Sequence, residues 1–180
     1  MNDELPPLDD FDLPDDFVIP DDLSAFDPTT LAAKDRPELA LLVTRVADPR
    51  ALAALCALTQ VAADIVGTEG GAVAMLQDLS EDAPQQAAAK VSKAMGSIDV
   101  LLVLRTSGQI SVTKYDGGSD LGDVPPGLVL ATSTELVEDL IVGTITPAEV
   151  PGSINSAELK PGRAMRLFTE AARDGRRRHR

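Results

Sequence analysis

IDVLLVLRTSGQISVTKY, residues 98–115, predicts two β-strands joined by a tight turn. Residues 100–104 form an uninterrupted aliphatic run, which is typical of a strand that is buried on both faces. In residues 109–115 apolar and polar side chains alternate, as they do in a strand with one exposed face. The rest of the predicted fold is arranged around this hairpin.

The turn decides which residues of the hairpin face each other. If Ser107 and Gly108 are the two loop residues, aliphatic side chains of both strands lie on one continuous face. A shift of one residue would move every side chain of a strand to the opposite face. The predicted pairs are Val103 with Val112 and Arg105 with Ile110.

Residues 38–105 predict alternating strands and helices. Asp48, followed by a proline, supplies the N-cap of a long apolar helix that Gly67 would end. Residues 38–46 also fit a helix capped by Asp35, but their β-branched side chains favour a strand. The predicted elements are a strand at residues 38–46, a helix at 49–66, a strand at 72–79, a helix at 80–95 and the strand at 100–104.

Downstream of the hairpin, glycine and proline divide the chain into short segments. Residues 116–126 are rich in glycine and aspartate and predict a loop. Residues 161–174 have apolar side chains at helical spacing, which predicts an amphipathic helix ended by Gly175. The remaining predicted elements are a strand at residues 127–131, a helix from Glu135 to Val142 that Ser133 or Thr134 caps and Gly143 ends, and a linker at 147–160.

Together these elements predict an α/β fold with a small mixed sheet of about five strands. Parallel strand–helix–strand units would be followed by the antiparallel hairpin. The predicted divisions are an acidic disordered tail at residues 1–35, an α/β domain at 36–146, a linker at 147–160, and a basic amphipathic helix with an arginine-rich tail at 161–180.

Charge is distributed unevenly along this chain, whose net charge is −13. Residues 1–35 contain 11 acidic side chains and 1 basic one, and residues 36–162 contain 16 and 8. Residues 163–180 reverse the balance, with 2 acidic and 7 basic side chains. The two ends are therefore opposite in sign. We expect a weak, salt-sensitive contact between them, either within one chain or between two protomers.

The acidic N-terminal tail contains a six-residue repeat, with Asp-Asp-Phe at residues 9–11 and 15–17 and Asp-Asp-Leu at 21–23. Its prolines and dense like charge disfavour a helix, so we expect disorder. Hydrophobic side chains kept apart by acidic ones predict docking to a protein partner with a basic or apolar groove, although a charged spacer would share this composition. The candidate binding residues are Phe11, Phe17, Ile19, Leu23 and Phe26.

The C-terminal helix offers a second candidate surface. Ala164, Leu167, Phe168 and Ala171 form an apolar stripe, and arginines lie off it. Such a helix could bind nucleic-acid phosphate, an anionic membrane surface or the acidic tail. The negative net charge and the scarcity of nearby aromatic residues disfavour nucleic acid. The candidate binding residues are Arg163, Arg166, Leu167, Phe168 and Arg173.

The sequence disfavours several classes of catalytic and metal-binding site. His179 is the single histidine and Cys56 the single cysteine, and we expect Cys56 to be buried as a small hydrophobe, which disfavours nucleophilic triads and zinc sites. No apolar run approaches the ~18 residues of a membrane span. The acidic start differs from a secretory signal, so we expect a cytoplasmic protein. We also expect no cofactor.

One enzyme-like arrangement follows from the predicted parallel sheet. Loops at the carboxyl ends of parallel strands converge, and carboxylates with a hydroxyl could hold Mg²⁺. Each acid also has a local role in a turn or at a helix start, which is the simpler interpretation. The residues concerned are Asp48, Asp78, Glu81, Asp82, Thr106, Ser107 and Gly108.

These observations lead us to expect a non-enzymatic adaptor, chaperone-like or regulatory protein that binds partners through its acidic-hydrophobic tail. The alternative is a Mg²⁺-dependent enzyme that acts on a phosphorylated substrate. A second alternative is a nucleic-acid-associated factor that uses the arginine-rich end.

Overall fold

The computed structural model describes residues 36–96 and 98–178, with side chains through Asp174. These residues form an antiparallel seven-stranded sheet with helices on both faces. The strands are β1 (Leu39–Thr44), β2 (Ala63–Thr68), β3 (Gly71–Leu76), β4 (Val100–Arg105), β5 (Ile110–Asp116), β6 (Ser119–Asp123) and β7 (Ile154–Asn155). The helices are α1 (Pro49–Leu58), α2 (Ala83–Met95), α3 (Pro126–Thr132), α4 (Glu135–Val142) and α5 (Pro161–Arg178).

The strand order is β6-β5-β4-β1-β3-β2-β7, which places β1 in the middle. β1 and β2, which α1 connects, run in the same direction with β3 between them. β3 and β4, which α2 connects, likewise run in the same direction with β1 between them. The two strand–helix–strand units therefore interleave, and every hydrogen-bonded neighbour is antiparallel.

The predicted hairpin is confirmed. β4 pairs with β5 so that Val103 faces Val112 and Arg105 faces Ile110. The amide of Thr106 donates to the carbonyl of Gln109 at 2.9 Å and closes the two-residue loop. The register is the one that keeps the aliphatic side chains of both strands on common faces.

The predicted five-stranded sheet with parallel units is wrong, because one strand was hidden in the predicted helix 49–66. α1 ends at Leu58, and Gln60 takes a φ of 58°, which turns the chain out of the helix. Ala63–Thr68 is then β2, with Gly67 inside the strand instead of after a helix. This additional strand lets β3 return beside β1 in the antiparallel direction.

Two further assignments differ between β5 and α4. The predicted loop 116–126 contains β6, a strand whose side chains are all exposed. The predicted strand 127–131 lies in α3, which begins at Pro126 in the position that favours proline at a helix start. The predictions for β1, β3, α2 and α4 are confirmed in type, and Gly143 ends α4 in the left-handed conformation.

The segment predicted as a linker, residues 147–160, contains β7 and two short 3₁₀ turns. β7 pairs with β2, where Asp64 faces Asn155, and the Asn155 side-chain amide donates to the Asp64 carboxylate at 2.9 Å. α5 does not end at Gly175 as predicted, since its backbone continues to Arg178.

Two hydrophobic layers lie on opposite faces of the sheet. On one face, α1 and α2 cover the alternate residues of β1 and β4 that include Leu42 and Leu102, and α5 packs on the outside of α1. On the other face, α3 and α4 cover residues such as Leu41 and Val103. The helices on this second face, α3 and α4, have only 7 and 8 residues, so this helical layer is shorter than the layer formed by α1 and α2.

Arg105 ties α4 to the end of β4. One of its terminal nitrogens, Nη1, donates to the carbonyls of Ile141 and Val142, each at 2.6 Å. These carbonyls lie at the C-terminus of the helix, where the helix dipole favours a cation. The charged side chain therefore fixes where α4 lies over the sheet.

Cys56 is fully buried in α1, as expected, and burial raises the pKa of its thiol to about 12. We expect iodoacetamide at pH 8 to alkylate the native protein far more slowly than the urea-unfolded chain, because the thiolate is the reactive species. Because burial disfavours the thiolate, Cys56 leaves the folding stability unchanged below the unfolded pKa of about 8.5 and lowers it as pH rises from there towards 12. Equal alkylation rates for native and unfolded protein would contradict the burial.

Candidate functional site

A groove of about 640 Å³ opens on the sheet face that α3 and α4 cover. Val43 of β1 and Leu101 of β4 contribute to it, and Leu128 and Val129 of α3 and Val137 of α4 line it from the helical layer. All these side chains are aliphatic. They lie between the sheet and its shorter helical layer, and the groove is also lined by polar and charged side chains: Thr44, Arg45, Thr68, Asp99, Lys114, Thr132, Ser133 and Thr134.

The strand register explains why the groove lies at this end of the sheet. Val43 pairs with Leu101, and Leu101 pairs with Lys114, so the three form one row across β1, β4 and β5. Val43 and Leu101 are only partly buried, whereas Leu41 and Val103 of the adjacent row are fully buried. The short helices thus cover one row completely and leave the next row accessible.

Charged side chains stand at the mouth of this groove. Lys114 Nζ forms an ion pair with an Asp99 carboxylate oxygen at 2.9 Å. Arg45 is exposed, and no carboxylate oxygen of the described residues lies within 4.0 Å of its guanidinium. Of the cations at the mouth, Arg45 is therefore the one available to an incoming anion.

The hydroxyl groups around the groove differ in their partners. Thr132 Oγ1 contacts two carbonyls of α3, at 3.0 and 3.1 Å, and Ser133 Oγ donates to one of them at 2.8 Å. Thr134 Oγ1 is buried and finds no hydrogen-bond partner among the described residues. Since a buried hydroxyl is usually hydrogen-bonded, Thr134 is an exception at the wall of the groove.

The second candidate surface is α5, which packs on α1 through small residues. Ala164 and Ala171 of α5 are buried, and α5 contacts α1. Arg50 of α1 joins the two helices, because its Nη2 lies 2.7 Å from an Asp48 oxygen and 3.1 Å from an Asp174 oxygen. Hydrogen bonds to Asp48 and then Asp174 raise the pKa of Arg50 above its ordinary value.

Other side chains of α5 are exposed to solvent in whole or in part. Phe168 is 41% exposed, Met165 is 55% exposed, and Leu167 is half-buried at the edge of the packed stripe. The arginines predicted to bind a partner are all exposed on this helix: Arg163, Arg166 and Arg173. The predicted binding residues Phe11, Phe17, Ile19, Leu23 and Phe26 lie outside the described residues.

The antiparallel sheet does not assemble the carboxylates of the predicted Mg²⁺ site. Asp48 follows β1 at one end of the strands, whereas Thr106 follows the antiparallel β4 at the opposite end. Asp78 accepts hydrogen bonds from the hydroxyl and the amide of Ser80, which lower its pKa. Within residues 36–96 and 98–178, no three His, Cys, Asp or Glu side chains are grouped to hold a metal ion.

No protein-family model, curated protein or solved structure is significantly similar to this chain. No helix in the described part of the chain is long and apolar enough to cross a membrane.

The groove was missed from the sequence because its residues come from separate strands and helices and form no motif. Only the unusually short apolar runs of α3 and α4 could have suggested an incomplete helical cover.

Proposed function

We propose that this protein is a non-enzymatic adaptor that binds protein partners through its two oppositely charged ends. The acidic-hydrophobic residues near the start of the chain would contact a partner with a basic or apolar groove. The exposed side of α5 would contact an acidic surface. The observation that carries the proposal is the outward display of arginines by a helix that is packed against the domain.

The packing of α5 supports this role. Its buried contacts use alanines, and its Arg50–Asp174 ion pair lies at the interface with α1. With the helix held in this way, Arg163, Arg166 and Arg173 are exposed to solvent. A partner gains from such preorganisation, because the helix does not have to be ordered on binding.

The exposed apolar side chains add a second component to the interaction. Met165 and Phe168 are exposed on the same helix as the arginines. Apolar anchors with adjacent cations suit an acidic peptide or surface that also carries apolar groups. Charge would steer the encounter, and the apolar contacts would add affinity that salt screens less.

The test is affinity capture with matched variants. The combined Arg163→Gln, Arg166→Gln and Arg173→Gln variant should lose a partner that the wild type captures, and so should a chain lacking residues 1–30. The control variant Arg36→Gln, Lys90→Gln and Lys93→Gln removes the same charge from exposed positions outside α5 and should keep the partner. Capture that survives both the α5 changes and the deletion would reject the adaptor proposal.

A self-contact between the charged ends would regulate this binding. A synthetic peptide of residues 5–28 should bind the chain that lacks residues 1–30, and 0.5 M salt should weaken that binding strongly. The α5 triple variant should bind the peptide less tightly than the control triple variant does. If the peptide binds both variants equally, α5 is not the surface that it contacts.

A further inference from the structure

We propose that the groove between the sheet, α3 and α4 binds an aliphatic carboxylate, with the carboxylate at Arg45 and the hydrocarbon chain along Val43, Leu101 and Val129. This site is separate from α5 and does not depend on the adaptor proposal. It would give the domain a small-molecule ligand.

The size and lining of the groove indicate this class of ligand. Its volume of about 640 Å³ falls within the roughly 300–1,000 Å³ of small-molecule sites. None of the residues that line it is aromatic, so it lacks the ring surfaces on which planar ligands stack. A flexible hydrocarbon chain can follow the aliphatic side chains of both walls.

The charges at the mouth indicate a single anionic group. Asp99 already neutralises Lys114, which leaves Arg45 to receive an anion. The surrounding residues 36–162 contain 16 acidic and 8 basic side chains, and this excess repels polyanions. A ligand with a single carboxylate is repelled least by these acidic residues while it pairs with Arg45. Such a ligand is therefore favoured over a nucleic acid or a strongly acidic peptide.

Thr134 and Arg45 each lie beside one of two adjacent glycines. A Cβ on Gly70 would lie 3.7 Å from the Thr134 methyl group, and a Cβ on Gly71 would lie 2.9 Å from the Arg45 Cα. Both Arg45 and Thr134, whose hydroxyl has no partner among the described residues, line the groove.

The test is an NMR titration of the full chain with sodium decanoate, below the concentration at which decanoate forms micelles. Saturable shifts are expected at the methyl groups of Val43, Leu101 and Val129. Arg45→Gln should weaken binding about fivefold, which is the effect of losing an exposed ion pair, whereas Arg166→Gln on α5 should leave it unchanged. Nonyltrimethylammonium, which has the same nine-carbon tail and the opposite charge, should bind more weakly than decanoate.

A pair of leucine variants separates the groove from general hydrophobic adsorption. Leu128 lines the groove and is 61% exposed, and Leu121 on β6 is 57% exposed but does not line it. Leu128→Asp should reduce decanoate affinity at least about tenfold, and Leu121→Asp should leave it unchanged. Absence of saturable binding, equal losses in the two variants, or groove shifts caused by an acidic peptide and not by decanoate would overturn the proposal.

Discussion

Replacing Gly71 by alanine is expected to destabilise the domain by about 4 kcal/mol or more, an effect at the extreme of single substitutions. Gly71 begins β3 with a φ of 130°, which an L-residue with a side chain rarely adopts. An added Cβ would overlap the carbonyl oxygen of Thr44 and lie 2.9 Å from the Cα of Arg45. Both obstacles are backbone atoms of the central strand and its extension, so no side-chain rotation relieves them.

The neighbouring glycine provides the control. A Cβ on Gly70 would meet Thr134 Cγ2 at 3.7 Å and Thr68 Oγ1 at 3.8 Å, which are ordinary contacts. Gly70→Ala should therefore shift the urea midpoint little, whereas Gly71→Ala should leave the chain largely unfolded without urea or lower the midpoint greatly. Equal midpoints for the two variants would show that β3 does not approach β1 in this way.

Leu102→Ala is expected to lower the free energy of unfolding by about 2–5 kcal/mol, the range for a large aliphatic side chain removed from a packed core. Leu102 is 1% exposed in β4, with β1 on one side and β5 on the other. It belongs to the layer that α1 and α2 cover, where many neighbours are alanines. Because alanines cannot rotate to fill space, the cavity should persist and the cost should lie towards the upper end.

The measurement is again urea unfolding, followed by circular dichroism, with Leu121→Ala as the matched control. Leu121 is an exposed leucine of β6, so its truncation should change the free energy of unfolding by less than about 0.5 kcal/mol. If Leu102→Ala unfolds at the urea concentration of the wild type, β4 does not carry the core.

The β4–β5 hairpin could be predicted because three local features agree. The aliphatic run of residues 100–104, the alternation in 109–115 and the Ser107-Gly108 loop all require the same register. A register with one side buried is strongly specified, since a shift exposes its aliphatic residues. Local sequence was therefore sufficient for this part of the sheet.

β2 could not be separated from α1 by the same reasoning. The chain from Pro49 to Val66 is apolar nearly throughout, and periodicity does not distinguish a buried helix from a buried strand in such a run. The break occurs at Gln60, which takes a positive φ without being glycine. Missing this strand also reversed the predicted direction of β3, because direction alternates with every strand added.

The two candidate sites also differ in whether the sequence could predict them. The exposed arginines of α5 follow from the helical spacing of a single segment, so their position could be predicted. The groove depends on how far α3 and α4 extend over the sheet, and α3 was predicted as a strand. Its lining is a property of packing between distant segments, for which no local pattern existed.

The central position of β1 has a consequence for how the chain folds during synthesis. β1 ends at Thr44, but the partner strand β4 is complete only at Arg105. At roughly 5–20 residues per second, β1 would wait roughly 3–12 s for that neighbour. During this interval LALLVT, six residues without charge or proline, has the composition of an aggregation-prone strand. A pause of the ribosome after β1 has emerged and before β4 has emerged would prolong this exposure.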